Sequence, residues 1–302
     1  MAKAMARLQL AAHAKINLAL DILGKRPDGF HEVAMILQAV GLHDTVELTG
    51  NDGDISLVCD RKELPCDRSN LAFRAAELLR QECGVTLGVH IALTKRIPLA
   101  AGLAGGSSDA AAVLKGLNVL WNLKLSPQEL ESLSARLGSD VPFCLWGGTA
   151  LATGRGEILA PLADFAGHGV VLANPPFQVA TAWVYKNYRP DTAFPHPDIT
   201  GMRESIQCGD YKAVAGGLGN MLESVTMPAH PRIAEMKDAF YQAGASAVLM
   251  SGSGPTVFAL TPDRESAARL AAKVALAADV AVFVTETVAR EDKMNVPSII
   301  AG

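Results

Sequence analysis

The chain has 302 residues, enough for two domains that each bury a core of their own. Hydrophobic residues make up 49% of it and charged residues 19%, a balance typical of a folded globular protein and not of a disordered one. The net charge of −4 gives no electrostatic reason to expect binding to nucleic acid or to an anionic membrane.

The five cysteines are odd in number and include no C-x-x-C pair, so the sequence suggests neither a disulfide framework nor a zinc site. We therefore expect a protein of the reducing cytoplasm. The start, MAKAMARLQLAAHAK, lacks the apolar segment and the cleavage site of a secretory signal. No apolar run approaches the length of a membrane span.

The first informative segment, residues 13–23 (HAKINLALDIL), alternates as a β-strand does. Its apolar face holds Ala14, Ile16, Leu18, Leu20 and Ile22, and its polar face holds His13, Lys15, Asn17 and Asp21, interrupted only by Ala19. Lys15 and Asn17 therefore point the same way, about 7 Å apart. Taken alone, the pattern predicts a half-buried strand whose polar face meets water.

Pro27-Asp28-Gly29 is a strong turn signal that leads to strands at residues 33–40 and 45–48. Phe30 and His31 follow the turn and are suited to holding a nucleobase, although a solvated hairpin tip would look the same. One more strand is predicted at residues 55–58. A helix then starts at Leu71 with Ser69 or Asn70 as its N-cap.

A glycine- and serine-rich loop follows a strand at residues 89–94 and runs into a helix that we expect to start near Ser108. Glycine lets a ligand approach the main chain closely, and the first amides of a helix lack intrahelical partners. These amides and the helix dipole make an anion site, most naturally for phosphate. A loop that merely turns the chain is the alternative. The sequence matches neither a Walker loop nor a dinucleotide fingerprint.

Ser126 opens a capping box for a helix that runs to about Leu137. Asp140, two residues before Pro142, could be the N-cap of a further helix or a residue with a chemical role. Gly147-Gly148 lead into a strand at residues 149–153.

A new strand at residues 170–173 marks the second half of the chain. A helix or turn at 179–185 precedes a proline-rich loop at 189–197, and helices are expected near 205–209, 211–215 and 231–243. Two strands joined by the turn 251–254, a helix at 264–276 and a strand at 280–284 complete the pattern. Residues after about Arg290 have no clear pattern.

Four segments occur in the order found in the GHMP kinases, the superfamily of galactokinase, homoserine kinase and mevalonate kinase, and the chain resembles that superfamily. The segments are AKINLAL (14–20), PLAAGLAGGSSDAA (98–111), GSDVPF (138–143) and SGSGPTVFAL (251–260). The resemblance implies an α+β fold of two domains. Residues 1–165 would form a ribosomal protein S5 domain 2-like domain with the phosphate loop, and residues 166–302 a ferredoxin-like domain that helps to bind substrate.

Within the superfamily, KINL, RPDGFH and LGSDVP are similar to the motifs of kinases acting on 4-diphosphocytidyl-2-C-methyl-D-erythritol. The resemblance implies ATP-dependent phosphorylation of the 2-hydroxyl, in the non-mevalonate route to isoprenoids. Lys15 and Asp140 would then be the catalytic pair. Asp140 would be the base or orienting group, and Lys15 would steady the hydroxyl or the phosphoryl oxygens.

The same resemblance implies further binding residues. Substrate would meet Asn17, Phe30, His31, Thr181 and Tyr185, with Phe30 standing where related kinases often have tyrosine. ATP would meet Asn70, Lys95, Pro98, Leu99, Ala100, Ala101, Gly102, Leu103, Ala104, Gly105, Gly106, Ser107 and Ser108. The turn Ser251, Gly252, Ser253 and Gly254 would brace the phosphate loop.

Mg²⁺ is implied by the chemistry, but its ligands are not evident from the sequence. We expect a monomer or weak homodimer in the cytoplasm, with a small-molecule substrate and no nucleic acid or membrane partner. Another GHMP kinase activity, or a nucleotide-binding module that has lost catalysis, are the alternatives. The presence of both Lys15 and Asp140 argues against the second.

Overall fold

The computed structural model of the chain describes residues 6–190 and 194–291. The strands in these ranges are β1 (Arg7–Lys25), β2 (His31–Asn51), β3 (Ile55–Cys59), β4 (Gly88–Thr94), β5 (Thr149–Thr153), β6 (Ile158–Pro161), β7 (Gly169–Asn174), β8 (Gly219–Asn220), β9 (Val248–Met250), β10 (Val257–Thr261) and β11 (Ala281–Glu286). The helices are α1 (Leu71–Glu82), α2 (Gly105–Leu120), α3 (Pro127–Ala135), α4 (Val141–Trp146), α5 (Thr181–Asn187), α6 (Ile199–Gln207), α7 (Tyr211–Gly216), α8 (Glu223–Ala229), α9 (Arg232–Gln242) and α10 (Arg264–Lys273).

The strands form two sheets, which confirms the predicted α+β class. The first sheet has the order β3-β4-β2-β1-β8, with β5 pairing β2 and β6 pairing β5. Its β3–β4 and β1–β8 pairs are parallel and its other pairs antiparallel. The second sheet, β11-β7-β10-β9, is antiparallel throughout.

The long β1–β2 hairpin is the centre of the first sheet and positions the site. From Ala14 to Ile22 every residue of β1 is buried, so both faces of the strand are covered. The expectation of a water-facing polar face is therefore wrong for Lys15 and Asn17, which are 5% and 0% exposed. Buried polar side chains require partners, and the site supplies them.

The core consists of three groups of packed apolar residues. One lies between the first sheet and helices α1 to α4, with Leu48, Ile91 and Leu114 among its members. The other two join β1, β2 and β5 to the second sheet and its helices, with Ile16 and Phe258 in one of them. Side chains from both halves thus share apolar cores.

Several predicted elements differ in extent from the observed ones. β2 is one strand, where two were predicted at 33–40 and 45–48, because its middle continues to pair with β1 at His13 and His43. α2 begins at Gly105, earlier than the expected Ser108, so the second half of the loop is its first turn. β6, β8 and α8 were not predicted.

The second sheet starts with β7 at Gly169, close to the predicted domain boundary, while β8 returns to the first sheet beside β1. The division at residue 165 stays a prediction. The predicted loop at 189–197 includes residues 191–193, and the patternless tail includes residues 292–302; both of these ranges lie outside the described residues. Within the described residues, 6–190 and 194–291, no helix is both long and apolar enough to cross a membrane.

Candidate active site

One large cavity of about 1190 Å³ brings the predicted site residues together. β1, the glycine-rich loop, α5 and the turn 251–254 all contribute to its wall. The predicted residues that line it are Lys15, Asn17, Phe30, His31, Asn70, Lys95, Pro98, Leu99, Ala100, Ala101, Gly102, Ala104, Gly105, Gly106, Ser107, Asp140, Thr181, Tyr185, Gly252 and Ser253. Segments far apart in the sequence thus share one cavity.

Four predicted residues do not line this cavity: Leu103, Ser108, Ser251 and Gly254. Leu103 is 1% exposed and belongs to the core. The hydroxyl of Ser108 donates to the carbonyl oxygen of His13 at 2.6 Å, behind the loop. The side chains of Leu103 and Ser108 therefore hold the loop against β1 rather than face the cavity.

Lys15 and Asp140 meet at the wall of the cavity, with 4.0 Å between Nζ and Oδ2. The ammonium of Lys15 donates to Oδ1 of Asn17 at 2.8 Å, which confirms that the two side chains share a face of β1. The backbone amide of Lys15 donates to the carbonyl oxygen of Leu103, so β1 is tied directly to the loop. Lys15 is thus a buried cation with a fixed position.

Asp140 precedes α4 at the N-cap position, but its side chain makes no capping hydrogen bond. The N-cap alternative is therefore confirmed for the position of this residue, but its side chain does not do the capping. Its side chain is 35% exposed, whereas that of Lys15 is 6% exposed. A carboxylate without a capping bond, beside a fixed ammonium and open to the cavity, is available to a ligand.

The glycine-rich loop ends at Ala104, the N-cap of α2, whose φ of 60° places it in the left-handed region. No side chain caps this helix end, so the first amides of α2 keep their hydrogen-bonding capacity for a ligand. α2 has 16 residues, and its dipole adds partial positive charge at the same end. The geometry suits a phosphate group.

The turn 251–254 packs against this loop from the second half of the chain. The hydroxyl of Ser251 donates to the carbonyl oxygen of Gly102 at 3.0 Å. A Cβ at Gly102, where φ is +76°, would lie 2.2 Å from the carbonyl oxygen of Ser251, so only glycine fits. A Cβ at Gly252 would lie 3.5 Å from Nζ of Lys15, which shows how closely the turn approaches that residue.

Aromatic rings gather at another part of the cavity wall. The rings of His31 and Tyr185 have centroids 5.5 Å apart, and Tyr188 meets His31 edge-on at 5.9 Å. Phe30 is 54% exposed, and the guanidinium of Arg155 lies 4.9 Å from the centre of its ring. Tyr188 and Arg155 also line the cavity but were not predicted, since neither stands in a segment that resembles a known motif.

Burial changes the titration of two of these rings. It lowers the pKa of His31, with a smaller contribution from the positive charge of Lys25, so the imidazole is neutral at neutral pH. Burial raises the pKa of the Tyr185 phenol, and the charge of Asp140 adds to the effect. Thr181 completes this region, since its hydroxyl lies 2.9 Å from that of Ser253.

Two residues predicted to bind ATP have structural partners. Asn70 caps α1, because its Oδ1 accepts from the amide of Ala72 at 3.0 Å. The ammonium of Lys95 contacts the carboxylates of Asp44 and Asp109. Both residues line the cavity as well, so capping and pairing leave a nucleotide contact possible. The role of Asp44 was not predicted.

Comparison with known proteins shows which family the chain is similar to. Residues 70–148 match the GHMP kinases N terminal domain, and residues 202–279 match the GHMP kinases C terminal family. The 4-diphosphocytidyl-2-C-methyl-D-erythritol kinase of Brevibacillus brevis (strain 47) is 52% identical over 255 residues, 84% of this chain and 87% of that protein. The kinase of the same name from Synechococcus sp. (strain JA-3-3Ab) is 52% identical over 268 residues, 86% of this chain and 87% of that protein.

Solved structures give the same result. The crystal structure of a 4-(cytidine 5'-diphospho)-2C-methyl-D-erythritol kinase superposes with a TM-score of 0.78 at 34% identity, covering 93% of this chain and 99% of that one. Homoserine kinase from Cytophaga hutchinsonii reaches the same TM-score at 20% identity, over 99% of this chain and 98% of that one, which shows a shared fold alone. The predicted GHMP kinase fold is confirmed, and this chain belongs to the 4-diphosphocytidyl-2-C-methyl-D-erythritol kinase family of the GHMP kinases.

Proposed function

We propose that the protein transfers the γ-phosphoryl group of ATP to the 2-hydroxyl of 4-diphosphocytidyl-2-C-methyl-D-erythritol. The single observation that carries the proposal is the position of Lys15 and Asp140. They lie 4.0 Å apart in a cavity that the glycine-rich loop and the His31–Tyr185 pair also line. A phosphate site, a proton acceptor and an aromatic region for a base are the parts that this reaction needs.

Asp140 accepts the proton of the attacking hydroxyl and orients its oxygen toward the γ-phosphorus. The gap of 4.0 Å between Lys15 Nζ and Asp140 Oδ2 is longer than a direct hydrogen bond, so a substrate hydroxyl can hydrogen-bond to both. Lys15, fixed by Asn17, places positive charge where negative charge develops on the transferred oxygens.

The first amides of α2 hold the phosphates of ATP, and the loop residues 98–102 and 104–107 surround them. The turn at Ser251 keeps the loop in shape through its bond to Gly102. Asn70 lines the same cavity and serves the adenosine part of the nucleotide. Lys95 also lines the cavity, with its ammonium held by Asp44 and Asp109.

The cytosine of the alcohol substrate stacks on Tyr185 and meets the ring nitrogens of His31. Because burial lowers the pKa of His31, its neutral ring offers one N–H donor and one acceptor. Phe30 contributes an aromatic face, and Asn17 and Thr181 position the hydroxyls of the erythritol unit.

Mg²⁺ neutralises the charge of the β- and γ-phosphates in reactions of this kind. Among residues 6–190 and 194–291, no group of three His, Cys, Asp or Glu side chains could hold a metal ion. Mg²⁺ is commonly bound through phosphate oxygens and water with few protein ligands. Location in the cytoplasm and the state of monomer or weak homodimer stay predictions.

A coupled assay of ADP release, run over a panel of alcohols, tests the proposal. We expect turnover with 4-diphosphocytidyl-2-C-methyl-D-erythritol and none with homoserine or mevalonate. Homoserine and mevalonate represent other GHMP kinase activities. Turnover of either of them in place of the cytidyl alcohol would contradict the proposed substrate, and failure of every alcohol would favour a non-catalytic nucleotide-binding module.

A further inference from the structure

A buried cluster of three charged side chains lies in the cavity wall beneath the glycine-rich loop. We call Asp44, Lys95 and Asp109 the buried triad. The ammonium of Lys95 contacts one oxygen of each carboxylate. The three residues are 0%, 4% and 2% exposed. With both carboxylates ionised, this cluster has one negative charge that no cation within it balances.

The two carboxylates are unequal. Oδ1 of Asp44 accepts from the backbone amides of Arg96 and Ile97, while its Oδ2 meets Lys95. Asp109 meets Lys95 through Oδ2, and its buried Oδ1 has no hydrogen-bond partner among the residues that the structure describes. An ionised carboxylate with an unpartnered buried oxygen is costly. Protonation removes the buried charge, and a hydrogen bond with Asp44 favours the protonated form. The proton of the cluster therefore belongs on Asp109.

The groups facing Asp109 come from three elements. Lys95 at the end of β4 attracts its negative charge, and Asp44 on β2 repels it. Cys144 on α4 is partly buried, and burial raises the pKa of its thiol to about 12, so the thiol is neutral. Burial, opposed by Lys95 and assisted by Asp44, raises the pKa of Asp109 to about 7. Asp109 is thus partly ionised in the free protein at neutral pH.

The cluster is close to the proposed phosphate site. Asp109 is the fifth residue of α2, one turn from the helix start, and it lines the cavity. A Cβ at Gly105, the first residue of α2, would lie 3.5 Å from Nζ of Lys95. Negative charge on Asp109 opposes the arrival of phosphates there, and the low dielectric of a buried site strengthens that repulsion.

We propose that the buried triad takes up one proton from solvent, at Asp109, when the phosphates of a nucleotide bind to the glycine-rich loop. The inference rests on the proposed function, since it needs ATP at that loop. Asp109 is 2% exposed and its Oδ2 is held by Lys95, so we place it behind the phosphate site. It is a positioning residue: it holds Lys95 in the cavity wall, and the charge of Asp109 itself is removed when it is protonated.

Calorimetric titration of the full chain with Mg²⁺ and ATP, without an alcohol acceptor, counts the protons taken up. The titration is run in two buffers of different ionisation enthalpy, at pH 8 and at pH 6, on wild type and Asp109→Asn. The asparagine has the same shape and cannot ionise. The difference between the two proteins is expected to be about one proton per nucleotide at pH 8 and to approach zero at pH 6, where Asp109 is already protonated.

A matched control is Asp210→Asn, which changes an exposed N-cap of α7 to an equally good one and should behave as wild type. Equal proton uptake by wild type and Asp109→Asn at pH 8 would overturn the inference. If Asp109→Asn does not fold, the pH dependence of the affinity of wild type for MgATP tests the inference instead. We expect it to weaken about tenfold from pH 7.5 to pH 8.5, and a flat profile would overturn the inference.

These outcomes separate the inference from the proposed function. Nucleotide binding without linked proton uptake contradicts only the role of Asp109. An absence of any binding heat with wild type contradicts the proposed nucleotide site itself, and the inference with it.

Discussion

Two lysine–aspartate clusters meet the same cavity, one through Lys15 and Asp140 and the other through Lys95 and Asp109, and they differ in exposure and in spacing. Lys15 Nζ and Asp140 Oδ2 are 4.0 Å apart, and the Asp140 side chain is 35% exposed. Lys95 contacts two aspartates directly, and no side chain of the buried triad is more than 4% exposed. The first pair is open to the cavity, whereas the second cluster is closed within the protein.

This difference separates the groups that we propose to act on a ligand from a cluster whose charges are paired within the protein. The oxygens of Asp140 make no capping bond and do not touch Lys15 at hydrogen-bond distance, so they can take a new partner. Lys95 is occupied by two carboxylates, and removing it would leave both of them buried without a cation. Exposed pairs contribute little to stability, while breaking a buried pair is strongly destabilising.

Asp140→Asn should have the largest effect, on catalysis alone. We expect the turnover number to fall by about 10³-fold, because the amide cannot accept the hydroxyl proton. The affinity for ATP and the thermal midpoint should stay close to those of wild type. Steady-state assays, nucleotide titration and thermal unfolding measure the three quantities. If the variant keeps wild-type turnover, Asp140 lines the cavity but takes no part in catalysis.

Lys95→Met should have its main effect on stability. The methionine fills the space but leaves Asp44 and Asp109 buried without their cation, so the free energy of unfolding should fall by about 3 kcal/mol. Urea unfolding followed by circular dichroism measures the change. A loss below about 1 kcal/mol, typical of exposed pairs, would contradict the division between open and closed clusters.

Lys15→Met is the matched substitution in the open pair. Turnover should fall by about 100-fold, because a preorganised positive charge is lost where the transferred oxygens gather charge. Stability should fall by only about 1 kcal/mol, since Asp140 remains solvated and only Oδ1 of Asn17 loses its partner. The same urea titration and kinetic assay are applied to both lysine variants. Lys95→Met should lose more stability, and Lys15→Met should lose more turnover.

The open pair could be predicted from the sequence because both of its members stand in motifs. Lys15 and Asn17 share a face by the period of two of a strand, and Asp140 stands in a segment that resembles a family motif. Sequence alternation did not reveal that this face is buried. Burial depends on the second sheet and on the turn at Ser251, which join β1 only through tertiary contacts.

The buried triad could not be predicted from the sequence because its assembly depends on strand register. Thr45 of β2 pairs with Thr94 of β4, and this register brings Asp44 beside Lys95 across 51 positions of sequence. The sequence predicted a break in β2 between Val40 and Thr45. The pairing of His13 with His43 keeps the strand continuous there, and with it the place of Asp44.

Tyr185→Leu should give the smallest effect and identify the ligand that the open pair serves. The charge of Asp140 contributes to the raised pKa of the Tyr185 phenol, so this ring is near the pair of Lys15 and Asp140. Losing a base-stacking ring costs about 1–3 kcal/mol, so KM for the cytidyl alcohol should rise about tenfold while KM for ATP stays unchanged. Tyr241→Leu, at a ring 47% exposed and outside the cavity, is the control. A rise in KM for ATP instead would assign the ring, and the open pair beside it, to the nucleotide.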